Sequence, residues 1–313
     1  MLIAGVDVGG TNTEAALVND KHRVVARSKK PTPKEGPDAV IDTIRELIDS
    51  LKKKPGAVGV GIPGAVNGGK VITVPNLPHW SAGIDLGKRL RTSLGLPVAL
   101  GNDANVGLLG EWLAGAAKGA DNVLGVWMGT GIGGGLILDG RPYTGSRGAA
   151  GEVGHVIVRA DGALCSCGRR GCVEAYAGRH LMSATVRAIY QSGRKTSLFK
   201  IQKAEGKPQP TSKVWARALK EGDTLAQEVF ATGINTLGLG IASILNVLDL
   251  ERVILGGGMA DRMGQALADR VGKATRPWVM APNPALKFVA ARLGDDSGVV
   301  GAAALGRALI SAA

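Results

Sequence analysis

The chain has 313 residues and carries 38 Lys or Arg against 26 Asp or Glu, which gives a formal net charge of +12. A chain of this length can bury two modest hydrophobic cores, and its three cysteines are too few for a disulfide framework. No leader-type pattern precedes the first apolar strand, and the long apolar stretch 234–250 is interrupted by polar residues. We therefore expect a cytoplasmic protein without a membrane segment.

The positive charge is concentrated in the segment 187–220, where nine Lys or Arg residues accompany a single acidic one. Few aromatic side chains lie among them, and no DNA-reading motif is present. A solvated surface explains such a charge run, so we expect no nucleic-acid partner. A basic surface would also raise the encounter rate with anionic substrates such as nucleotides or polyphosphate.

The chain alternates short apolar strands with helices, and the series occurs twice. In the first half, strands are predicted at 2–6, 13–18, 24–29, 57–62 and 97–100, and helices at 38–53, 86–94 and 104–115. In the second half, strands are predicted at 123–128, 135–138, 156–158, 252–255 and 288–290, and helices at 172–191, 215–220, 225–248, 259–271 and 298–310. The order β-β-β-α-β-α thus appears twice, which predicts two α/β domains flanking a cleft.

Two glycine-rich turns occupy equivalent positions in the two halves. The first lies between Asp7 and Thr13, includes Thr11, and follows the first strand; the second spans 129–135. Glycine lets backbone N–H groups approach anionic oxygens, and Asp7 at a strand end is placed to hold Mg²⁺ through water. Two such loops directed at one cleft predict a polyphosphate held from both sides.

Two other phosphate-binding patterns fail in their context. The run 129–134 satisfies G-x-G-x-x-G, but a strand follows where a dinucleotide-binding fold needs a helix. Residues 64–70 fit G-x-x-x-x-G-K, but Val71 stands where that loop needs Ser or Thr. A third cluster, 256–258, lies between a strand and a helix, where it could accommodate the adenosine or an adjoining phosphate.

All three cysteines lie within eight residues, downstream of a histidine. Cys165, Cys167 and Cys172 together with His155 make the ligand set of a closed tetrahedral zinc site. Three buried thiols, or one disulfide with an orphan thiol, are the alternatives. Neither explains the glycine spacing or the lack of cysteine elsewhere. His180 is an alternative fourth ligand.

Polar residues follow the predicted strand 97–100 where a helix begins. Asn102 or Asp103 is expected to cap that helix, but capping does not explain both of them together with Asn105. An aspartate directed into the cleft could accept a proton from a hydroxyl that attacks a γ-phosphate. Asn76, fixed between two prolines, could present its amide to vicinal hydroxyls, although a proline-bracketed turn is the simpler account.

These motifs resemble those of the ROK sugar kinases (repressors, open reading frames, kinases), a family within the actin-like ATPase (ribonuclease H-like) fold. The matching segments follow the family's order along nearly the whole chain. They are Asp7-Val8-Gly9-Gly10-Thr11, Pro75-Asn76-Leu77-Pro78, Gly101-Asn102-Asp103-Ala104-Asn105, Gly129-Thr130-Gly131-Ile132-Gly133-Gly134-Gly135, Glu152-Val153-Gly154-His155, the segment Cys165–Glu174, and Leu255-Gly256-Gly257-Gly258.

The resemblance implies a domain organisation and an assembly. A small α/β domain would comprise residues 1–115 with the C-terminal helix 298–313, and a large one would comprise 116–297 with the zinc-binding segment. A homodimer is implied as well. The family's repressors carry a helix-turn-helix domain before the first strand, and we expect none here because that strand begins at Leu2.

The resemblance also implies ATP- and Mg²⁺-dependent phosphorylation of a hexose at its 6-hydroxyl, with glucose as the first expectation. Asp103 would be the base, and structural Zn²⁺ would fix the ring of His155 without touching phosphate. The implied sugar ligands are Asn76, Asn102, Asp103, Glu152, His155 and Glu174. The implied nucleotide-holding residues are Asp7, Gly9, Gly10, Thr11, Asn12, Gly129, Thr130, Gly131, Gly133, Gly256, Gly257 and Gly258.

Three alternatives stay open on the sequence alone. The hexose could be N-acetylglucosamine, N-acetylmannosamine, fructose or mannose, because the 2-substituent is read by pocket shape. The donor could be polyphosphate instead of ATP. The chain could also be a sugar-binding regulatory protein that has lost turnover, although the intact Asp7, Asp103 and glycine loops argue against that.

Overall fold

The computed structural model describes residues 1–72 and 78–311. Its strands are β1 (Ile3–Val8), β2 (Asn12–Val18), β3 (Val24–Pro31), β4 (Val58–Ile62), β5 (Val66–Asn67), β6 (Lys70–Val71), β7 (Val98–Asn102), β8 (Val123–Met128), β9 (Ile132–Leu138), β10 (Arg141–Tyr143), β11 (Arg252–Gly256) and β12 (Lys287–Ala290). Its helices are α1 (Pro37–Ser50), α2 (Leu86–Leu94), α3 (Asp103–Ala114), α4 (Glu174–Ala177), α5 (Arg179–Gln191), α6 (Leu198–Ala204), α7 (Ser212–Lys220), α8 (Thr224–Leu248), α9 (Gly258–Met263), α10 (Gln265–Thr275) and α11 (Asp296–Ser311).

Two five-stranded sheets share one topology. The first has the order β3-β2-β1-β4-β7, in which β1, β2 and β3 are antiparallel neighbours and β4 and β7 run parallel to β1. The second has the order β10-β9-β8-β11-β12, and β11 runs parallel to β8 and β12. Each sheet therefore has its first strand in the centre, two later hairpin strands on one side and two crossover strands on the other. This repeated order confirms the predicted α/β repeat of the actin-like fold.

The first sheet packs against helix α11 at unusually short range. A Cβ atom added to Gly5 of β1 would lie 1.8 Å from the carbonyl oxygen of Val299, and one on Gly59 of β4 would lie 1.6 Å from that of Ala302. Only glycine permits this approach of a helix backbone to a sheet. The C-terminal helix is thus part of the same compact unit as the N-terminal strands.

A buried carboxylate fixes the segment that leads into α11. Glu111 of α3 has no exposed surface, and its oxygens accept hydrogen bonds from the backbone nitrogens of Ala116 (2.7 Å), Arg292 (2.9 Å) and Leu293 (2.7 Å). A buried charge is tolerated when several donors satisfy it. The neighbours of Glu111 in the sequence are mostly apolar, and nothing in the sequence indicates that its carboxylate binds the segment before α11.

The chain divides into two compact units. Unit 1 consists of residues Met1–Asp121, Gly135–Gly151 and Arg292–Ala313, and unit 2 consists of Asn122–Gly134 and Glu152–Ala291. The expected domain limits, 1–115 with 298–313 and 116–297, stay a prediction.

Three predicted elements differ from the observed ones. The predicted strand 156–158 is wrong: the third strand of the second sheet is β10, and Ile157 makes only an isolated bridge to Cys172. The predicted helix 172–191 is divided at Gly178 into α4 and α5. The predicted helix 259–271 is divided at Gly264, whose φ of +58° is left-handed, into α9 and α10. In the two helices, the apolar periodicity of the sequence continues across the break in the backbone.

Within the described residues, one helix is long and apolar enough to cross a membrane by length and composition, namely α8. It packs against α4, α5, α7 and α10. Its buried residues include Phe230, Leu237 and Ile241. This packing is that of the buried helix expected from the interrupted apolar stretch.

Candidate active site and metal cluster

Asp7 and Asp103 lie at the same edge of the first sheet. Asp7 pairs with Gly61 of β4, which pairs with Gly101 of β7, so the carboxyl ends of three parallel strands meet there. Asp103 follows β7 directly as the first residue of α3. Ligand sites of α/β sheets commonly lie at this edge. The two predicted acidic residues of unit 1 are therefore neighbours, and the charge of Asp103 contributes to the raised pKa of Asp7.

Asn102 is the residue that caps helix α3. Its Oδ1 accepts from the backbone nitrogen of Asn105 at 3.0 Å, while its Nδ2 donates to the carbonyl of Gly64 at 3.1 Å and to Asp103 Oδ1 at 3.0 Å. An amide group has two N–H donors, and both are used here. As a sugar ligand, Asn102 could then only accept a hydrogen bond from a hydroxyl.

The carboxylate of Asp103 is held in a fixed orientation. Its Oδ1 accepts hydrogen bonds from the backbone nitrogen of Ala104 at 2.8 Å and from Asn102 Nδ2 at 3.0 Å. Burial raises the pKa of Asp103 above its usual value, although these hydrogen bonds act in the opposite direction. A raised pKa makes the carboxylate a better proton acceptor than a solvated aspartate, which suits the role of a base.

The first glycine turn is held by the end of β3 and the segment after it. Gly9 donates from its nitrogen to the carbonyl of Asn12 at 2.9 Å, and the Thr32 hydroxyl donates to the carbonyl of Gly9 at 2.6 Å. Thr32 also donates from its nitrogen to the carbonyl of Thr11 at 2.9 Å, and Lys34 Nζ donates to that of Gly10. The turn is therefore a preformed loop with the positively charged side chain of Lys34 beside it. Thr32 and Lys34 were not among the predicted site residues.

Asp7 carries a pKa raised from 3.8 to about 7, mainly by burial and then by the nearby charges of Asp103 and Glu14. The unfolded chain releases this proton near pH 4, whereas the folded chain keeps it until about pH 7. Between these values the native state binds more protons, so the free energy of unfolding falls as the pH rises. We expect Asp7→Asn to stabilise the metal-free protein at pH 8 by about 1–4 kcal/mol.

Chemical denaturation with EDTA at pH 4, 6 and 8 measures this effect. The difference between Asp7→Asn and the unchanged protein should be largest at pH 8 and vanish near pH 4. Asp49→Asn, which changes an exposed carboxylate on α1, serves as the control and should give no such trend. Equal stabilities of Asp7→Asn and the unchanged protein at pH 8 would contradict the expectation.

In unit 2, Glu174 connects the second glycine turn to the cysteine segment. Its Oε2 accepts from the backbone nitrogen of Ile132 at 2.8 Å, and its Oε1 accepts from the Ser166 hydroxyl at 2.8 Å. A Cβ atom on Gly131 would lie 2.2 Å from Oε2, so a side chain at this position would displace the Glu174 carboxylate. Glu174 was predicted only as a sugar ligand, and Ser166 was not among the predicted site residues.

Four side chains of unit 2 converge as the sequence predicted for a metal. One potential ligand atom from each of His155, Cys165, Cys167 and Cys172 lies within 4.8 Å of all the others. His180 is not in this cluster. The Cys167 and Cys172 sulfurs are 3.7 Å apart, and His155 Nδ1 is 3.9 Å from the Cys165 sulfur. All three cysteines are free thiols.

These distances fit a tetrahedral zinc ion. Zn–S bonds of about 2.3 Å place two sulfur ligands roughly 3.8 Å apart at a tetrahedral angle. Burial, the side-chain hydrogen bond with Cys167 and the neighbouring thiols raise the pKa of the Cys172 thiol to about 12. This thiol therefore stays protonated until a metal cation replaces its proton. Because Nδ1 of His155 faces the sulfurs, Nε2 is the ring nitrogen left for another partner.

Three further predicted site residues, Asn76, Glu152 and Gly257, lie in separate parts of the chain. Asn76 lies outside the described residues. Glu152 is exposed and begins the short 3-10 helix Val153–His155, where its carbonyl accepts from the nitrogen of His155 at 3.0 Å. Gly257 has a left-handed φ of +81° and precedes helix α9. The third glycine cluster therefore forms the strand–turn–helix junction that the sequence predicted.

Comparisons with known proteins cover nearly the whole length of the chain. The glucokinase of Streptomyces coelicolor is 34% identical over 98% of this chain and 98% of its own. The N-acetyl-D-glucosamine kinase of Vibrio atlanticus is 30% identical over 96% of this chain and 98% of its own. Among solved structures, a ROK family glucokinase from Streptomyces griseus in complex with glucose and AMPPNP is 31% identical, with a TM-score of 0.87 and coverage of 98% of this chain and 100% of that one.

A family profile described as the ROK family matches residues 3–308, which is almost the entire chain. The repeated sheet topology, the two glycine turns and the cysteine–histidine cluster all lie within this match. The chain belongs to the ROK family.

Proposed function

We propose that this protein is a sugar kinase that transfers the γ-phosphoryl group of ATP to the 6-hydroxyl of glucose. The observation that carries the proposal is the pair of acidic side chains at one sheet edge, Asp7 beside the first glycine turn and Asp103 oriented by two hydrogen bonds. Glucokinases similar over nearly the full chain, one of them in complex with glucose and AMPPNP, support the choice of substrates.

In this proposal the residues serve catalysis, nucleotide binding and sugar binding. Asp103 accepts the proton of the 6-hydroxyl as its oxygen attacks the γ-phosphorus, and the ADP oxygen leaves on the opposite side. The backbone N–H groups of the glycine turns around Thr11 and Thr130 hold the phosphates. The Gly256–Gly258 junction holds the rest of the nucleotide. The sugar hydroxyls are held by Asn76, Asn102, Asp103, Glu152, His155 and Glu174.

Two metal ions belong to the proposal. Mg²⁺ would be held through water by Asp7, and when bound it neutralises charge on the transferring phosphate. Zn²⁺ would be held by His155, Cys165, Cys167 and Cys172, and it acts as a scaffold for the imidazole ring. The free thiols in this cluster suit a reducing compartment, so we propose a cytoplasmic location.

A panel of hexoses tested with ATP and with polyphosphate decides the substrates. We expect ADP release to be fastest with glucose and ATP, with N-acetylglucosamine as the second candidate because a kinase for that sugar is 30% identical. Formation of glucose 6-phosphate from polyphosphate alone would change the proposed donor. If no sugar of the panel is phosphorylated, the kinase proposal is wrong and a sugar-binding protein is the remaining candidate.

We also propose that the protein is a homodimer. Val247, Trp278 and Met280 are large exposed apolar residues of unit 2, and Asn246 binds the backbone of both Trp278 and Met280. Trp278 also lines a groove of about 830 Å³ along α8 and α10, which none of the predicted site residues lines. Contiguous exposed apolar surface suits a protein interface. Sedimentation equilibrium at micromolar concentration should give twice the chain mass, and a mass of 32.0 kDa would contradict the dimer.

A further inference from the structure

Arg179 is fastened to the second glycine turn through its backbone. It is the first residue of α5, and its nitrogen donates to the carbonyl of Gly129 at 3.3 Å, while the nitrogen of His180 donates to that of Thr130 at 3.0 Å. The first N–H groups of a helix have no partner within the helix, and here the turn supplies the acceptors. Two backbone hydrogen bonds therefore join the glycine turn to the start of α5.

The side chain of Arg179 sets the direction of the Thr130 hydroxyl. Its Nη2 donates to Thr130 Oγ1 at 2.9 Å. A guanidinium can only donate hydrogen bonds, so Oγ1 is the acceptor and the hydroxyl hydrogen must point to a different acceptor. Phosphate oxygens are acceptors only. The contact thus leaves the hydroxyl hydrogen of Thr130 available to donate to a phosphate oxygen.

The same guanidinium binds the segment that packs against the other glycine cluster of unit 2. Its Nη1 donates to the carbonyl of Pro210, two residues before Ser212 at the start of α7. A Cβ atom on Gly258 would lie 2.7 Å from the Ser212 hydroxyl oxygen, so the two segments are in close contact. Arg179 therefore joins the turn at 129–131 to the segment that packs against Gly258.

The charge of Arg179 lacks an anionic partner. Among residues 1–72 and 78–311 no carboxylate forms an ion pair with it, and its Nε is buried without an acceptor. Burial lowers the pKa of the Arg179 guanidinium, which marks the cost of holding this charge away from water. An anion in the adjoining turn would compensate that charge.

We infer that Arg179 is a positioning residue for the nucleoside triphosphate: it orients the Thr130 hydroxyl as a donor to a phosphate oxygen and balances phosphate charge. This inference rests on the proposed kinase function for its ligand. It adds to the glycine turns a side chain that matches no predicted motif. Arg fits the role better than Lys because its planar fork binds two acceptors at fixed angles.

A double-mutant cycle tests the inference. Binding of Mg²⁺–AMPPNP without sugar is measured by calorimetry for Arg179→Gln, Thr130→Val and the double variant, and KM is measured for ATP and for glucose. Arg179→Gln should weaken nucleotide binding about 10- to 100-fold and leave the KM for glucose within about twofold. The double variant should lose little more than the stronger single variant, because Arg179 acts through Thr130. Arg179→Lys should fall in between.

Matched variants separate this role from a structural one. Arg187→Gln removes a positive charge from the same helix, where the guanidinium lies over the Phe199 ring, and should leave nucleotide affinity unchanged. If Arg179→Gln does not fold, Arg179→Lys decides, since it keeps the charge but lacks the planar fork and should still weaken nucleotide binding while leaving the KM for glucose within about twofold.

Three results would overturn the inference: unchanged nucleotide affinity in Arg179→Gln, strictly additive losses in the cycle, or equal losses for sugar and nucleotide. If no sugar is phosphorylated while nucleotide binding follows the expected pattern, the proposed function fails and the inference stands. If the kinase is active but Arg179→Gln keeps its KM for ATP, only the inference fails.

Discussion

Replacing Asp103 by Asn is expected to lower kcat by a factor of about 10²–10⁴ while the KM values for glucose and ATP change little. Asparagine keeps the size of the side chain, and its Oδ1 can still accept from Ala104 and Asn102. The variant loses only basicity, so the 6-hydroxyl must give its proton to water. A coupled assay of ADP release measures the change, and near-normal turnover would remove Asp103 from the role of base.

The pH dependence of kcat supplies a second readout for Asp103. Because burial raises the pKa of this carboxyl, the unchanged enzyme should lose activity as the pH falls, at a pH above that of an ordinary aspartate. The residual rate of Asp103→Asn should lack this step. Asp85→Asn is the matched control, since Asp85 also stands at a helix start and accepts from the Lys88 nitrogen at 2.9 Å. It should leave kcat and its pH profile unchanged.

Replacing Cys167 by Ser is expected to reduce bound zinc from one ion per chain to a small fraction and to raise the KM for glucose about 10- to 100-fold. The cause is loss of one of four ligands, after which Nδ1 of His155 is no longer held and its Nε2 loses a fixed direction toward the sugar. Elemental analysis of the purified protein measures the metal, and steady-state kinetics measures the KM.

The neighbouring residue provides the control for this experiment. Ser166→Ala removes only the hydroxyl that donates to Glu174 at 2.8 Å and leaves all four proposed ligands in place, so zinc content should stay near one. Zinc affinity should also fall at low pH, because binding displaces the thiol proton of Cys172. A zinc-free preparation with full activity and an unchanged KM for glucose would end the scaffold proposal.

The limits of sequence-based prediction are visible in the second sheet. Residues 156–158 have the apolar pattern of a strand, yet the strand that pairs with β9 is the short, exposed segment Arg141–Tyr143. Pairing with a neighbouring strand depends on hydrogen-bond partners distant along the chain, whereas apolar pattern reports only burial. Helix breaks at Gly178 and Gly264 escaped prediction for a related reason, since isolated glycines are tolerated in many helices.

The sequence by itself determined the features that repeat or cluster along the chain. These are the double β-β-β-α-β-α order, the two glycine turns, the four candidate zinc ligands, and the place of Asp103 between a strand and a helix. Each is a local pattern, in which residue type and spacing along a few residues already express the backbone geometry or ligand chemistry that the position needs.

Only the tertiary structure decided which side chain meets which. It assigned the helix cap to Asn102, tied Glu174 to both Ile132 and Ser166, and brought Arg179 to Thr130. Thr130 and Arg179 are separated by 49 residues, and Ile132 and Glu174 by 42. Contacts at such separations arise from the packing of whole elements, which leaves no periodic trace around either residue.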